Sequence, residues 1–419
     1  MSDTTDNDRA RSQRMRVNRL ARGRPAAVMG ALFLILPAFL VFAPWGLTVW
    51  LALGMFALPP LMRWPQLANW RAGPLTVTLS VLLLWSGFSL AWSPDADLSR
   101  LWNLLAVSAI GAFWFAAVRA LEMPERIYVQ ARLMIGFVFA ILLLTLESVT
   151  SLQLGMWLSG DFDQDRRLVS IAVSCAALVI VGWVPLILIA QDELSLHRMV
   201  LPVATLVVIF VLLANFLFFD ATAAIGGLLS GFVVFFLVLL QRRIGVAVLG
   251  LGVVLYVVLA PVLHVALDLQ QAPPDAAAAI LLGEDDETAR PLAARIFERP
   301  VIGHGLGSLQ QDMGGEGPRL SPAMSKNGIL KTWYELGLIG ALCLAALTVA
   351  ILMTLTRPLV REDMVCTRAA LFASVAFMTC LGFNIWDPWN MAAVWLSVGV
   401  IGLLDAGTPS RAPVDISPA

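Results

Sequence analysis

Again and again this sequence runs apolar for about 17 to 25 residues, the length an α-helix needs to cross a hydrocarbon layer about 30 Å thick. The runs fall at about 26–43, 45–62, 74–92, 101–121, 127–148, 168–190, 199–219, 221–240, 244–267, 328–355, 367–386 and 389–405. With 59% hydrophobic and only 14% charged residues, the chain has runs too long for a soluble core. The expected fold class is an all-α polytopic membrane protein with about twelve transmembrane helices.

The basic residues orient these helices. Arg9, Arg11, Arg14, Arg16, Arg19, Arg22 and Arg24 crowd the first tail. Arg63 and Arg71, Arg119 and Arg126, Arg198, Arg242 and Arg243, then Arg357, Arg361 and Arg368 occupy alternate loops. The positive-inside rule makes that side cytoplasmic, so both termini are expected in the cytoplasm. Asp95, Asp97, Asp161, Asp163 and Asp165 fall on the opposite side, with a long segment before the tenth run. The expected organisation is a basic tail 1–25, nine helices over 26–267, an extracytoplasmic segment 268–327, three helices over 328–405, and a tail 406–419 whose composition suits disorder.

Several function classes drop out. The basic tail lacks interleaved aromatics and is a topology signal, so no nucleic-acid partner is expected. The first run is long and followed by many others, which favours an uncleaved helix over a signal peptide. Cys175, Cys343 and Cys380 lie in runs and Cys366 in an expected loop, with no disulfide framework or metal-ligand spacing. Neither an internal repeat nor an inverted pair of broken helices announces a transporter. Asp161-Phe162-Asp163-Gln164-Asp165 begins like a calcium loop, but Arg166 takes the glycine position and Ala172 that of the closing glutamate. Asp95-Ala96-Asp97 reads as a helix cap, and no phosphate loop, dinucleotide fingerprint or nucleophile elbow is present. No metal or cofactor is therefore expected.

Candidate chemistry gathers between Arg299 and Gly340. Residues 291–299 have apolar side chains at helical spacing and suggest a short helix behind the acidic run 284–287. The glycines from 303 onward require a loop. Arg290, Arg295, Arg299, His304, Arg319, Lys326 and Lys331 collect beside the membrane surface. Arginine offers bidentate donors and lysine a point charge, the needs of an anionic diphosphate. Lys331 and Glu335 stand four apart on the tenth run and share a helix face. Their pairing either holds the helix mouth or aims Lys331 at substrate. Asp220, with Asn215 a turn earlier, and Asp387 belong to outer turns at similar depth, and each is also explained as a plain loop residue. His197 and His264 are isolated.

The order of runs, the outer segment between the ninth and tenth, Arg299-Pro300-Val301-Ile302-Gly303-His304-Gly305-Leu306-Gly307, then Asn327-Gly328 and Glu335-Leu336-Gly337-Leu338-Ile339-Gly340 together resemble the O-antigen ligase and O-antigen polymerase family. The topology covers most of the chain and the motifs about 290–340. The resemblance implies a helical fold of the GT-C-like kind with a large periplasmic segment, in a bacterial inner membrane. It implies a metal-independent inverting glycosyltransferase that moves a glycan from undecaprenyl diphosphate onto a hydroxyl, with the bilayer and other polysaccharide synthesis and export proteins as partners. The donor's energy resides in the lipid diphosphate bond, so no nucleotide cofactor is implied. Breaking the anomeric bond releases a diphosphate, which preorganised cations stabilise, and the acceptor hydroxyl calls for a base.

Two positions depart from the family pattern. Met324-Ser325-Lys326-Asn327 places lysine where a histidine is expected, and Asp220-Ala221-Thr222-Ala223-Ala224-Ile225-Gly226 lacks the arginine common at the start of the eighth run. Arg290 or Arg295 matches the outer-segment arginine. The expected site is therefore Lys326, Glu335 and His304 for catalysis and Arg290, Arg295 and Lys331 for the diphosphate, with Asp220, Asn327 and Asp387 as further candidates. These departures favour a polymerase joining carrier-linked repeat units of an exopolysaccharide or O-antigen. The alternatives are a ligase transferring glycan to lipid A core and a non-catalytic component of a synthesis complex.

Overall fold

The structure, a computed structural model, describes residues 24–57, 73–94, 98–119, 121, 123–159, 164–191, 200–268, 295–309, 327–355, 362–381, 383 and 386–405. Lys326, Arg290, Arg319, Asp95, Asp97, Asp161, Asp163, His197 and most of both tails and of the expected outer segment lie outside them. Among the described residues the regular structure is helical: α1 Arg24–Phe42, α2 Leu47–Ala57, α3 Pro74–Ser89, α4 Leu98–Arg119, α5 Met123–Val149, the short α6 Gln153–Ser159, α7 Gln164–Gln191, α8 Val200–Phe218, α9 Thr222–Leu240, α10 Arg242–Asp268, α11 Gly328–Leu355, α12 Glu362–Leu381 and α13 Pro388–Asp405. Helices suit lipid because each satisfies its own backbone where no water can. Seven of the described helices are long and apolar enough to cross a membrane, and four more are apolar but shorter. The protein is an all-α polytopic membrane protein.

Small residues bring the helices together. Gly227 and Gly231 form a small-xxx-small face on α9, and a Cβ on either would strike Met378 of α12 or Trp183 of α7. Ser374 of α12 uses that closeness, donating its hydroxyl to the Gly227 carbonyl (2.6 Å) while accepting the Trp183 indole N–H (2.9 Å). Gly111 of α4 lies under Trp395 of α13, and Gly399 of α13 under Trp114 of α4, a reciprocal fit. The largest apolar core includes residues of α1, α4, α5, α7 and α13. A second core joins α10 to α11 and to Ile296 and Leu309 of the 295–309 segment.

Two boundaries differ from the sequence expectation. The run expected at 367–386 is helical over Glu362–Leu381, which puts Cys366 inside α12, buried, rather than in a loop. Residues 386–387 form a turn before Pro388, which opens α13 where proline's missing N–H costs nothing. The second difference matters more. The run 328–355, expected as one uninterrupted helix, breaks at Gly337 (φ 66°, ψ −163°).

Candidate functional site

A break inside a buried helix frees backbone groups that lipid cannot satisfy. Here the 299–309 segment and α3 satisfy them. His304 N–H donates to the Tyr334 carbonyl (2.8 Å) and Gly305 N–H to that of Glu335 (2.9 Å). Below the break, Leu338 N–H reaches the Pro300 carbonyl (2.8 Å) and Ile339 N–H that of Val301 (3.3 Å). The carbonyl of Leu336 accepts the indole N–H of Trp85 from α3 (3.0 Å).

The same segment is tied to α3 and α4 at its far end. Leu306 N–H donates to Ser89 Oγ (3.1 Å), and Ser93 Oγ donates to the Leu306 carbonyl (2.9 Å). Arg100 of α4 donates Nη1–H to the Gly307 carbonyl (2.7 Å). The Leu306 side chain is buried among Leu90, Leu104 and Trp386. This accounts for Gly303-His304-Gly305-Leu306-Gly307 residue by residue. All three glycines have positive φ, and a Cβ at Gly303 would meet the Glu335 carbonyl, at Gly305 the Ser93 backbone and at Gly307 the Arg100 guanidinium.

Beside this junction lies a cavity of about 170 Å³ lined by Arg100, Asn103, Leu104, Leu306, Gly307, Lys331, Glu335, Trp386, Asp387 and Pro388. Arg100 and Asn103 belong to the first turns of α4, Lys331 to the first turn of α11, and Asp387 immediately precedes α13. Three helix N-termini thus converge on it, each carrying partial positive charge. Glu335 is 1% exposed, on the cavity wall. Lys331 Nζ stands 4.0 Å from Glu335 Oε1, and Arg100 and the Gly307 backbone also act on the carboxylate. At 4.0 Å the lysine contact is an ion pair without a hydrogen bond, and Oε1 has no hydrogen-bond partner.

Of the residues singled out in the sequence, Lys331, Glu335 and Asp387 meet at this cavity. His304 is not part of its lining: its ring stacks on Tyr334 (4.3 Å, 9°), with Nδ1 3.3 Å from the Tyr334 carbonyl and Nε2 3.9 Å from Glu298 Oε2. Asn327 caps α11, its Oδ1 accepting from Ile329 N–H (3.0 Å) and Leu330 N–H (3.1 Å) while Nδ2 donates to the Tyr256 hydroxyl (3.1 Å). Asp220 is exposed in the α8–α9 turn with φ 50°, and Asn215 is buried and donates to Thr145 Oγ1 (3.0 Å). Neither lines the cavity. Arg295 is half-buried at the first residue of the described 295–309 segment, where 295–296 are helical and 297–302 are turns and bends, so the helix expected over 291–299 does not reach 299.

Sequence reasoning missed Arg100, Asn103, Trp386 and the break at Gly337. One signal was available for Arg100, an arginine shortly after the acidic Asp95-Ala96-Asp97, away from the loops that hold most of the arginines. Trp386 was hidden by its placement inside an expected helix. Nothing in the sequence ties Trp85 to Leu336, 251 residues away.

No protein-family model and no solved structure matches the chain. Among curated proteins, one of Rickettsia conorii (strain ATCC VR-613 / Malish 7) is 24% identical over 301 residues, 68% of each chain, and bears the name "Putative polysaccharide ligase". A protein of the same name in Rickettsia prowazekii (strain Madrid E) is 23% identical over 296 residues, 67% of this chain and 69% of its own. A third, from Rickettsia felis (strain ATCC VR-1525 / URRWXCal2), is 23% identical over 300 residues, 68% of this chain and 69% of its own. The protein is a distant homologue of these chains.

Proposed function

We propose that this protein transfers a glycan from undecaprenyl diphosphate to an acceptor hydroxyl at the periplasmic face of a bacterial inner membrane, with the reacting groups in the cavity between α4, α11 and α13. The observation that carries the reading is the convergence of three helix N-termini with Arg100 and Lys331 on one cavity. Aligned N-termini and paired cations are what a departing diphosphate needs. Stabilising that charge as it forms is the largest single contribution a protein can make to such a step. The names of the Rickettsia relatives support a polysaccharide as substrate. At about 170 Å³ the cavity is smaller than an ordinary ligand pocket of roughly 300 Å³ or more, so it suits the reacting groups, with lipid tail and glycan extending outside. Lys326, Arg290 and Arg295 are proposed to join this cationic rim from the outer segment.

The acceptor we favour is a second carrier-linked repeat unit, making the protein a polymerase, because Lys326 replaces the ligase-type histidine and the arginine expected near Thr222 is absent. The relatives' names contain the word ligase and so favour the ligase alternative, for which the acceptor we propose is lipid A core. The size distribution of carrier-linked and surface glycan in a deletion strain separates them. A polymerase leaves single repeat units on the carrier, a ligase leaves full-length glycan stranded there, and an unchanged profile overturns both. Arg100→Ala is expected to reproduce the deletion profile with the protein still inserted in the membrane.

A further inference from the structure

Within the cavity one group is equipped for chemistry rather than for binding an anion. Glu335 is a carboxylate buried to 1% exposure that lines the cavity, and its Oε1, itself buried, makes no hydrogen bond. An unpaired buried carboxylate oxygen is costly. Glu147 Oε2 is another, but Glu147 grips Arg167 at 2.9 Å through its other oxygen, whereas Lys331 stands 4.0 Å from Glu335, which lines a cavity. The main chain of residue 335 is pinned on the break by the Gly305 N–H, and Trp85 pins residue 336. Lys331 balances the charge at 4.0 Å without occupying Oε1, and Arg100, which also acts on the carboxylate, is fastened to the Gly307 carbonyl. Asp387, the other acid on the cavity, already has a partner and sits half-exposed before α13.

We propose that Glu335 is the general base of the transfer reaction and that its carboxylate, on the cavity wall, receives the acceptor hydroxyl. The proposal rests on the glycan-transfer reading above. The acceptor O–H donates to the Glu335 carboxylate, and its oxygen attacks the anomeric carbon from the face opposite the diphosphate. As that carbon–oxygen bond forms, the bond from the anomeric carbon to the diphosphate oxygen breaks. The electron pair leaves on the diphosphate, against Arg100 and Lys331, and the hydroxyl proton passes to Glu335, which later gives it to water. No oxidant, metal or nucleotide enters the balance. The break at Gly337 frees the Glu335 carbonyl, which a continuous helix would pair with Ile339 N–H, for the Gly305 N–H that fixes residue 335.

The test uses full-length protein in proteoliposomes, with the carrier-linked glycan extracted from the deletion strain as donor and acceptor. Transfer is read by product size, and donor retention by co-purification. Glu335→Gln keeps the shape of the side chain and removes its basicity. It should retain donor while transfer falls by about 10²- to 10⁴-fold, the contribution typical of a positioned base, and Glu335→Asp should keep part of the rate. Transfer by Glu335→Gln within about threefold of wild type overturns the assignment. Should that variant lose donor binding or fail to fold, Glu335→Ala with added formate decides: recovery of transfer with formate supports the base, and none overturns it. A wild-type protein that retains the glycan but never transfers it overturns the reading on which the proposal rests, and the base with it.

Discussion

Arg167 and Glu147 face each other at 2.9 Å, both buried, between the N-terminal end of α7 and the C-terminal end of α5. The guanidinium also lies over the Phe42 ring at 5.5 Å and against Gly155, where a Cβ would collide with it. Removing one member of such a pair leaves the other charge buried and uncompensated, at a cost of about 3–5 kcal/mol. Arg167→Ala should therefore lower the unfolding temperature in detergent and reduce membrane yield, and replacing both residues by methionine should recover most of the loss. Gly337 makes a second prediction. Its φ of 66° with ψ of −163° is a region that essentially only glycine occupies, and a Cβ there would collide with the Val301 carbonyl. Gly337→Ala should destabilise by at least about 1–3 kcal/mol, seen as a lower melting temperature. Legibility differs sharply between these sites. Lys331 and Glu335 could be paired from their spacing of four, whereas Arg167 and Glu147 are joined only by how α5 packs on α7. Gly337 sits in an apolar run where glycine is commonplace in membrane helices, so its dihedral angles left no trace in the sequence.

At the scale of elements, α11 and the 299–309 segment make one unit, since neither satisfies its backbone without the other. Trp85 extends this unit into α3. Trp85→Phe would keep the apolar ring but leave the Leu336 carbonyl without its donor, a loss of about 1–3 kcal/mol for a buried group. Because that carbonyl adjoins Glu335, glycan transfer is expected to fall more than tenfold while the variant still inserts. Unchanged transfer would show that the break tolerates an unsatisfied carbonyl. The sequence made this unit half-visible. Glycines at 303, 305 and 307 predict a loop, and the tenth run predicts a helix. That the loop repairs a gap in the helix was invisible, because those hydrogen bonds run between main-chain groups and carry no side-chain signature. The α12 boundary failed for a related reason: Glu362 and Asp363 look like loop residues by charge, yet acidic residues are favourable in the first turn of a helix.

For the whole molecule, the distribution of arginine separates topology from chemistry. Most arginines occupy the loops expected in the cytoplasm, yet Arg100 and Arg167 lie at the opposite ends of their helices. Each has a specific engagement there: Arg100 on the Gly307 carbonyl and near Glu335, Arg167 on Glu147. These two arginines on the expected outer side are thus each held by a partner, and one of them marks the cavity. The proposed orientation can be tested with two exposed positions at opposite ends of α9. Asp220 precedes that helix and Gln241 follows it, adjoining Arg242 and Arg243. In a variant with Cys175, Cys343, Cys366 and Cys380 replaced by alanine, Asp220→Cys should react with a membrane-impermeant maleimide on intact spheroplasts. Gln241→Cys should react only after permeabilisation. The reverse pattern would put the cavity in the cytoplasm, away from the face at which the proposed lipid-linked donor is used. Labelling of both positions from one side would mean that α9 does not cross, and the cavity between α4, α11 and α13 would then need its depth assigned anew. Labelling of Asp220→Cys alone places the first turns of α4, α11 and α13 on the outer face, because each is separated from the start of α9 by an even number of crossings in the twelve-helix topology.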